Sequence, residues 1–304
     1  LGIVLTPPHI ADLFAELTDI GVHSVVLDNC CGTAGLLIAA MKAMTRAAGS
    51  DQRLLKNIKV RQLIGIEEQS TIYALAVSNM VLHGDGKTNL YRGSCFLNVD
   101  QIKKLKPTVG ILNPPYKNKS VAADKEELEF VLNNLECLQA GGKCAAILPI
   151  TCATAPSGAI AEWKRKLLAK HTLEAVMSMP VELFHNSKTT VVTCIMLFTA
   201  HVPHQPSKKT WFGYWRDDGF VKTKHRGRID ATGIWPEKRA RWLSAFRNRE
   251  IIQNFSVMRA VVATDEWCAE AYMETDYTLV NKALLMHATK RYLLHNAMTG
   301  YEDA

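Results

Sequence analysis

TVGILNPPYKNKS, residues 108–120, contains the pattern that decides how this sequence folds. The apolar run at its start is short and uninterrupted, which is typical of a strand buried on both faces of a sheet. The run stops at Asn113, and two prolines and Tyr116 follow it. Because proline fixes φ and lacks an N–H, Pro114 and Pro115 end the strand and stiffen the chain immediately after it. The pattern therefore predicts a buried strand with a rigid end.

The residues of this rigid end fit the chemistry of an amino group on a planar ring. A nucleobase amino group is a poor nucleophile because its lone pair is delocalised into the ring, so methylating it requires acceptors that hold both N–H bonds. The side-chain oxygen of Asn113 and the carbonyl of Pro114 are two such acceptors, and the prolines hold them in place. Tyr116 offers a flat face on which an extruded base can stack. A strand terminator with an incidental tyrosine is the alternative.

Strands and helices alternate along the first 200 residues. Apolar runs ending at Asp28 and Glu67 are each followed by a helical stretch, and four further strands are predicted. These strands lie in the segments 107–115, 143–150, 173–180 and 189–200. The alternation predicts an α/β fold with a mainly parallel sheet and helices on both faces.

Unusual residues fall at the carboxyl ends of these strands, where open α/β sheets bind ligands. Asp28 ends the first strand, and the small-residue turn CGTAG follows it, with Cys31, Gly32, Thr33, Ala34 and Gly35. Its glycines let the backbone approach a ligand closely, and the next helix offers N–H groups to a carboxylate or phosphate. Glu67 ends the second strand, where its carboxylate can accept both hydroxyls of a ribose. For the turn alone, an ordinary strand-to-helix connection is the alternative.

Length and composition describe a globular chain. The 304 residues are 48% hydrophobic and 8% aromatic, enough to bury one large core, or one core and an appendage. No apolar run approaches the roughly 18 residues that span a bilayer, and the N-terminus has no basic-then-apolar signal pattern. We therefore expect a soluble, cytoplasmic protein without a membrane partner. The start at Leu1, without a methionine, suggests that a further N-terminal part precedes it.

The eight cysteines contain no CxxC pair, and most lie within apolar runs. Core cysteines in a cytoplasmic protein are usually reduced, whereas disulfides and zinc sites need paired spacing. We therefore predict buried thiols and no metal site.

The net charge of +7 is concentrated in one segment. Residues 201–250 contain twelve Lys and Arg against five Asp and Glu, an excess equal to the net charge of the whole chain. Tryptophans 211, 215, 235 and 242 are interleaved with these charges. The pattern favours contact with a polyanion such as nucleic acid, and a solvated, lysine-rich surface is the alternative.

Six segments in order resemble the catalytic domain of amino-methylating, S-adenosylmethionine-dependent DNA methyltransferases, most closely the modification subunit of type I restriction-modification systems. They are GIVLTPPHIADLFAEL (2–17), DNCCGTAGLL (28–37), IGIEEQSTIYALAVSNMVLHG (64–84), NPPY (113–116), LQAGGKCAAILPI (138–150) and SMPVELFHNSKTTVVTCIMLF (178–198). WRDDGFVKTKHRGRID (215–230) is similar to a segment that these subunits carry after the core. The resemblance implies a mainly parallel, seven-stranded Rossmann-like sheet with an antiparallel last strand.

The same resemblance implies roles for individual residues. Thr6 and Pro7 would lie by the methionine end of the cofactor, the turn after Asp28 would bind the cofactor, and NPPY would be catalytic. The family's Asp-Pro-Ala-Cys-Gly-Thr-Gly-Gly-Phe is here DNCCGTAGL, so Leu36 replaces an aromatic residue that would flank the catalytic tyrosine. The Gly-Asp pair that the family carries after its own third strand is here Gly93-Ser94. Ser94 would bind the cofactor's adenine amino group more weakly than a carboxylate does. These changes bear on cofactor affinity and leave the catalytic motif intact.

The predicted function is site-specific methylation of adenine N6 in double-stranded DNA, with S-adenosylmethionine as cofactor. Residues 1–200 would form the catalytic domain, and residues 201–304 a basic and helical extension that contacts DNA or partners. Because this extension is short for a target-recognition domain, we expect a separate specificity subunit to read the DNA. A restriction nuclease subunit is a further partner that the resemblance implies.

Two alternatives remain open at this stage. Asn-Pro-Pro-Tyr also occurs in methyltransferases of release-factor glutamine and of ribosomal RNA bases, although the Thr-Pro segment and MPVELF favour DNA. Ser94 and Leu36 also fit a catalytically weak subunit that binds DNA or scaffolds a restriction complex.

Overall fold

The structure, a computed structural model, describes residues 5–84, 89–116, 125–185, 191–224, 226–274 and 281–299. Within these residues, nine strands form one sheet and two more form a separate antiparallel ribbon. The strands are β1 (Val26–Asp28), β2 (Leu63–Glu67), β3 (Asn89–Arg92), β4 (Val109–Leu112), β5 (Lys143–Pro149), β6 (Thr172–Ser178), β7 (Thr193–Thr199), β8 (Lys209–Tyr214), β9 (Val221–Thr223), β10 (Gly227–Ile229) and β11 (Ser256–Ala260). The sheet order is β11-β8-β6-β7-β5-β4-β1-β2-β3, and β9 pairs with β10.

The helices cover both faces of this sheet. They are α1 (Pro8–Leu17), α2 (Gly35–Ala48), α3 (Gln52–Arg61), α4 (Ser70–Leu82), α5 (Val99–Lys103), α6 (Glu127–Cys137), α7 (Thr151–Thr154), α8 (Gly158–Lys170), α9 (Trp235–Arg247) and α10 (Lys282–Thr299). One buried cluster joins the sheet to α1, α2 and α9. A second buried cluster joins the opposite face to α6 and α8. The core therefore lies in two layers, one on each side of the sheet.

The centre of the sheet is parallel and apolar on both faces. β1 pairs in parallel with β2 and with β4, so that Val26 lies between Leu63 and Val109. All four residues of β4 are buried, as are all three of β1. Because these strands run in one direction, their carboxyl ends, and the loops that follow them, meet at one edge.

The predicted fold class is confirmed, with a difference in strand number. β7 is antiparallel to both β5 and β6, as the resemblance implies. The prediction of seven strands is wrong, because β8 pairs in parallel with β6 and β11 pairs antiparallel with β8. β3 is absent from the predicted alternation because a four-residue strand with polar ends has little periodicity.

The chain after residue 200 differs from the predicted extension in two ways. Strands β8 to β11 lie in it, so it is not simply basic and helical. The helical character of the extension is expected from DEWCAEAYMETDYTLVNKALLM (265–286). The described part of this stretch before α10 has a short 3₁₀ turn at Ala269–Ala271 instead. The stretches 117–120 and 186–190, which belong to the motif segments above, lie outside the described residues, as do residues 1–4 and 275–280.

The aromatic residues of the basic segment form core rather than a nucleic-acid surface. Trp211 and Trp215 are fully buried, and Trp242 stacks on Trp215 with ring centroids 4.8 Å apart. Many of the segment's cations also pair with acids of the folded body, as Arg249 does with Glu174 at 3.8 Å. The interleaved pattern thus reflects a strand, β8, that is buried on both faces and a helix, α9, that buries one apolar face. Stacking of these tryptophans on bases is excluded.

The cysteines follow the sequence prediction. All eight are free thiols; seven are buried and Cys30 is half-buried. Among the described helices, none combines the length and hydropathy needed to cross a bilayer.

Candidate active site

A cleft of about 410 Å³ opens where the loops after β1 and β4 meet the start of α1. Eight of the predicted site residues line it: Thr6, Pro7, Asp28, Cys31, Gly32, Thr33, Gly35 and Asn113. They come from three separate parts of the chain, which the parallel sheet brings to one edge. The sequence motifs therefore share one cleft.

The loop between β1 and α2 has a strained backbone. Gly32 has a φ of 54° and Ala34 a φ of 67°. The left-handed region is open to glycine but costs an alanine about 1 kcal/mol. The Cys31 N–H donates to the Ile66 carbonyl at 2.9 Å, and the Gly32 N–H donates to Glu67 Oε2 at 3.1 Å. Contacts with β2 therefore hold this loop in a conformation that Ala34 alone would not favour.

Asp28 presents a carboxyl to the cleft from the end of β1. Its side chain is 1% exposed, and Oδ1 accepts a hydrogen bond from the Cys30 N–H at 3.2 Å. Burial raises the pKa of Asp28 to about 8, and the nearby Glu67 carboxylate adds to the rise. A buried carboxyl with this pKa favours a ligand that brings a positive charge or a strong donor.

Asn113 is fixed from the start of α1. Its Nδ2 donates to Thr6 Oγ1 at 3.1 Å across 107 residues of sequence. Thr6 lies two residues before Pro8, which begins α1 after the N-cap Pro7, and proline favours the first position of a helix. The amide nitrogen thus faces α1. The oxygen is the acceptor that this side chain can offer to a ligand.

Tyr116 packs against an aromatic residue that the sequence interpretation did not select. Its ring lies edge to face with Phe184, with centroids 6.1 Å apart. Phe184 also lines the cleft together with Leu183. The Tyr116 hydroxyl is buried without a hydrogen-bond partner among the described residues, and burial raises its pKa well above the ordinary value. Phe184 ends the segment MPVELF, whose similarity to the family is the sequence feature that could have indicated this residue.

The other predicted residues lie beside the cleft rather than in its wall. Pro114 is buried and Pro115 is exposed. Glu67 uses Oε2 to hold Gly32 and Oε1 to accept the Gln69 N–H at 2.8 Å, at the start of α4. Ser94 is half-buried, and its carbonyl accepts from Asn98 Nδ2 at 2.7 Å. Glu67 therefore supports the loop between β1 and α2 and the start of α4.

A network of buried asparagines supports the loop from behind. Asn29 Nδ2 donates to Asn133 Oδ1 at 2.8 Å, and Asn134 Nδ2 donates to Asn29 Oδ1 at 3.1 Å. Gly110 makes room for it, since a Cβ there would lie 1.8 Å from Asn134 Oδ1. Asn133 Nδ2 also donates to the Cys95 carbonyl at 3.4 Å. The network links the loop after β1 to α6, and no sequence spacing signals it.

Residues from 215–230 form a further wall of the cleft. Asp218, 1% exposed, accepts from both terminal nitrogens of Arg228 at 3.0 and 2.6 Å and contacts His9 Nε2 at 3.3 Å. The Phe220 ring stacks on His9 with centroids 3.9 Å apart. His9, Phe220 and Arg228 line the cleft. Only the similarity of segment 215–230 to the family could have indicated its place in the cleft, because some 200 residues separate this segment from α1.

The fold matches that of a known class of protein. A mainly parallel sheet with one antiparallel strand, here β7, is the fold of the class I S-adenosylmethionine-dependent methyltransferases. The N-6 DNA Methylase family matches residues 1–279. The chain belongs to this family.

Individual relatives agree with that assignment. The chain is 36% identical over 285 residues to the type II restriction enzyme and methyltransferase RM.BcgI of Heyndrickxia coagulans, covering 91% of this chain and 43% of that protein. It is 25% identical to the type I restriction enzyme EcoEI methylase subunit of Escherichia coli, covering 69% and 44%. A chain from a structure of a type I restriction-modification system superposes with a TM-score of 0.72 at 20% identity, covering 98% and 64%. The chain thus spans less than half the length of these two sequence relatives.

Proposed function

We propose that this chain is the catalytic part of a DNA adenine-N6 methyltransferase of a restriction-modification system, with S-adenosylmethionine as its cofactor. The observation that carries the proposal is the shared cleft, in which Asn113 at the end of β4 faces the loop between β1 and α2. Family membership supports the reaction class.

The residues of the cleft fit the cofactor. S-adenosylmethionine carries an ammonium group and a sulfonium centre, and Asp28 offers a buried carboxyl whose raised pKa would fall when a positive charge binds beside it. The left-handed Gly32 exposes backbone at the same place, and the first turn of α2 adds N–H donors. Asp28, Cys31, Gly32, Thr33 and Gly35 would hold the cofactor, with Thr6 and Pro7 at its methionine end. Glu67 is proposed to accept the two ribose hydroxyls, and Ser94 to bind the adenine amino group more weakly than a carboxylate does.

When bound, S-adenosylmethionine supplies an electrophilic methyl group. The side-chain oxygen of Asn113 and the carbonyl oxygen of Pro114 accept hydrogen bonds from the two N–H groups of the adenine amino group. These hydrogen bonds concentrate the lone pair of the amino group on its nitrogen, which favours in-line attack. Tyr116 stacks on the extruded base, and Phe184 supports the Tyr116 ring edge-on. Pro115 keeps the loop rigid.

The same proposal includes partners. Double-stranded DNA is the proposed substrate, and a separate specificity subunit would select the site. The type I relative is named as the methylase subunit of a restriction enzyme, which supports assembly with other subunits. RM.BcgI is named as both restriction enzyme and methyltransferase, so the nuclease is proposed either as a separate subunit or as another part of the same polypeptide. Residues 1–200 are proposed as the catalytic domain, and 201–304 as an extension that adds β8 and β11 to its sheet.

The test is transfer of a labelled methyl group to DNA, followed by nucleoside analysis, using the full-length protein with its specificity subunit. N6-methyladenine is the expected product. Label that enters RNA or protein instead of DNA would replace this function with one of the alternatives. Asn113→Ala should lower methyl transfer at least about a hundredfold while calorimetric cofactor affinity stays near normal, because only an acceptor in the transition state is lost.

A matched control is Asn248→Ala, on the exposed end of α9. It should change neither rate nor affinity. Equal losses of cofactor binding and of rate in Asn113→Ala would count against the proposed role of Asn113.

A further inference from the structure

We propose that Arg228 binds the carboxylate of the cofactor's methionine end, so that the chain after residue 200 completes the cofactor site. The inference rests on the proposed function for the identity of the cofactor. It concerns a residue outside the six segments that resemble the family's catalytic domain.

The charges of the cleft motivate this assignment. The amino-acid end of S-adenosylmethionine carries one ammonium and one carboxylate group. Asp28 can accept the ammonium. Among the described residues that line the cleft, Arg228 alone has a permanent positive charge. The two groups therefore match the two charges of an α-amino acid.

Arg228 is held in a fixed orientation. The Arg228 side chain is 8% exposed. Both of its terminal nitrogens donate to the Asp218 carboxylate, and Nη2 also donates to the Phe220 carbonyl at 3.2 Å. Asp218 is in turn held by the Phe220 N–H at 3.0 Å. A guanidinium offers a planar fork of five donors, so a single arginine can bond two carboxylates at once. Because its geometry is set before binding, little conformational entropy is lost when the ligand arrives.

The segment is also anchored to α1, which directly follows the predicted methionine-end residues. His9 contacts Asp218 at 3.3 Å and stacks on Phe220, and Trp235 packs edge-on against His9 with centroids 5.0 Å apart. Thr6 and Pro7 lie immediately before α1 and line the same cleft. Arg228 is thereby fixed to the element that leads to Thr6.

Calorimetric titration with two ligands tests the assignment without any need for catalysis. S-adenosylhomocysteine has the carboxylate, and S-adenosyl-3-thiopropylamine lacks only that group. The parent protein should bind S-adenosylhomocysteine at least about tenfold more tightly, the range of a charge-assisted hydrogen-bond pair. Arg228→Lys should weaken S-adenosylhomocysteine about tenfold and leave the amine unchanged, because a lysine cannot reproduce the planar fork.

Arg226→Lys is the matched control, since Arg226 is exposed two residues away and does not line the cleft. It should leave both affinities unchanged. If Arg228→Lys unfolds the chain, the double variant Arg228→Gln with Asp218→Asn keeps a neutral hydrogen-bonded pair and should show the same selective loss.

Four results would overturn the proposal. Equal weakening of both ligands would mean that Arg228 only supports the fold. Equal affinity of the parent for both ligands would exclude a carboxylate contact. Discrimination that survives Arg228→Lys would assign the carboxylate to other donors, such as the first N–H groups of α2. A parent that binds neither ligand would overturn the cofactor of the proposed function as well, whereas selective binding without methyl transfer to DNA would contradict only the proposed function.

Discussion

Asp28 and Asp218 are buried to the same extent beside one cleft, yet their pKa values move in opposite directions. Each is 1% exposed. Burial raises the pKa of Asp28 to about 8. Burial also acts to raise the pKa of Asp218, but hydrogen bonds from His9 and Arg228 and the charge of Arg228 bring it below the ordinary value.

The difference separates a structural acid, Asp218, from Asp28, the acid that we propose binds a ligand. Asp218 has its cation inside the fold, so its charge stabilises the folded state. Asp28 has one backbone N–H and a neighbouring carboxylate, so its charge is unfavourable until a ligand brings a positive group. A buried acid left without a cation in a cleft is a stronger indication of a binding site than burial itself.

Asp218→Ala should lower the free energy of unfolding more than any other substitution proposed below. It removes one partner of a buried ion pair and leaves Arg228 without its acid, which typically destabilises by about 3–5 kcal/mol. Denaturant unfolding measures the change. Asp217→Ala is the control, because the Asp217 side chain is 77% exposed and its pair with Lys238 is worth about 0.5 kcal/mol. Similar losses in the two variants would show that the buried pair has no special weight.

Asp28→Asn should act in the opposite direction and raise the free energy of unfolding. Between pH 3.8, the ordinary pKa, and about 8, the unfolded chain loses the Asp28 proton while the folded chain keeps it. The carboxyl therefore destabilises the ligand-free fold increasingly as pH rises through this window. The variant should gain on the order of 2 kcal/mol at pH 8 and almost nothing at pH 4.

Unfolding of parent and variant at several pH values checks this prediction. Asp12→Asn, at an exposed position of α1, should change stability little at any pH. The same Asp28→Asn protein should bind S-adenosylmethionine at least tenfold more weakly, since a charge partner is lost. A stability gain that is flat with pH would contradict the proposed titration.

Tyr116→Phe should have the smallest effect. It removes a buried hydroxyl without a partner in the described structure, so stability should rise by about 0.5–1 kcal/mol. Methyl transfer should remain near that of the parent because the stacking face is kept, whereas Tyr116→Ala should lose roughly 1–3 kcal/mol of stacking. Steady-state rates and thermal unfolding measure both. A large rate loss in Tyr116→Phe would give the hydroxyl a direct role in the reaction.

Local patterns were sufficient to predict the centre of the fold. The apolar runs before Asp28, Glu67 and Asn113 form parallel strands, and their ends meet where the α/β rule places them. Periodicity reports burial, and these strands are buried on both faces, so the signal was strong. The positions of Thr6 and Pro7 came from family resemblance, because nothing local indicates that α1 returns to β4.

The predictions that failed depended on contacts between distant parts of the chain. Trp211 and Trp215 lie among charged residues in sequence, and only the pairing of β8 with β6 shows that they are core. Arg228 and Asp218 look like surface charges until they meet His9, about 200 residues earlier. Composition alone does not distinguish a basic residue that binds nucleic acid from one that forms an ion pair with an acidic residue distant in sequence.

The position of β8 also determines when this sheet can be completed during synthesis. β6 lies between β7 and β8, and β8 is itself covered by β11. Until residues 209–214 emerge, the backbone of β6 presents an open edge with an apolar face on each side, and until 256–260 emerge the same is true of β8. Open edges of this kind pair with other chains. Nascent chains are therefore most prone to aggregate in the interval between the end of β7 and the end of β11, after the catalytic motif has been made.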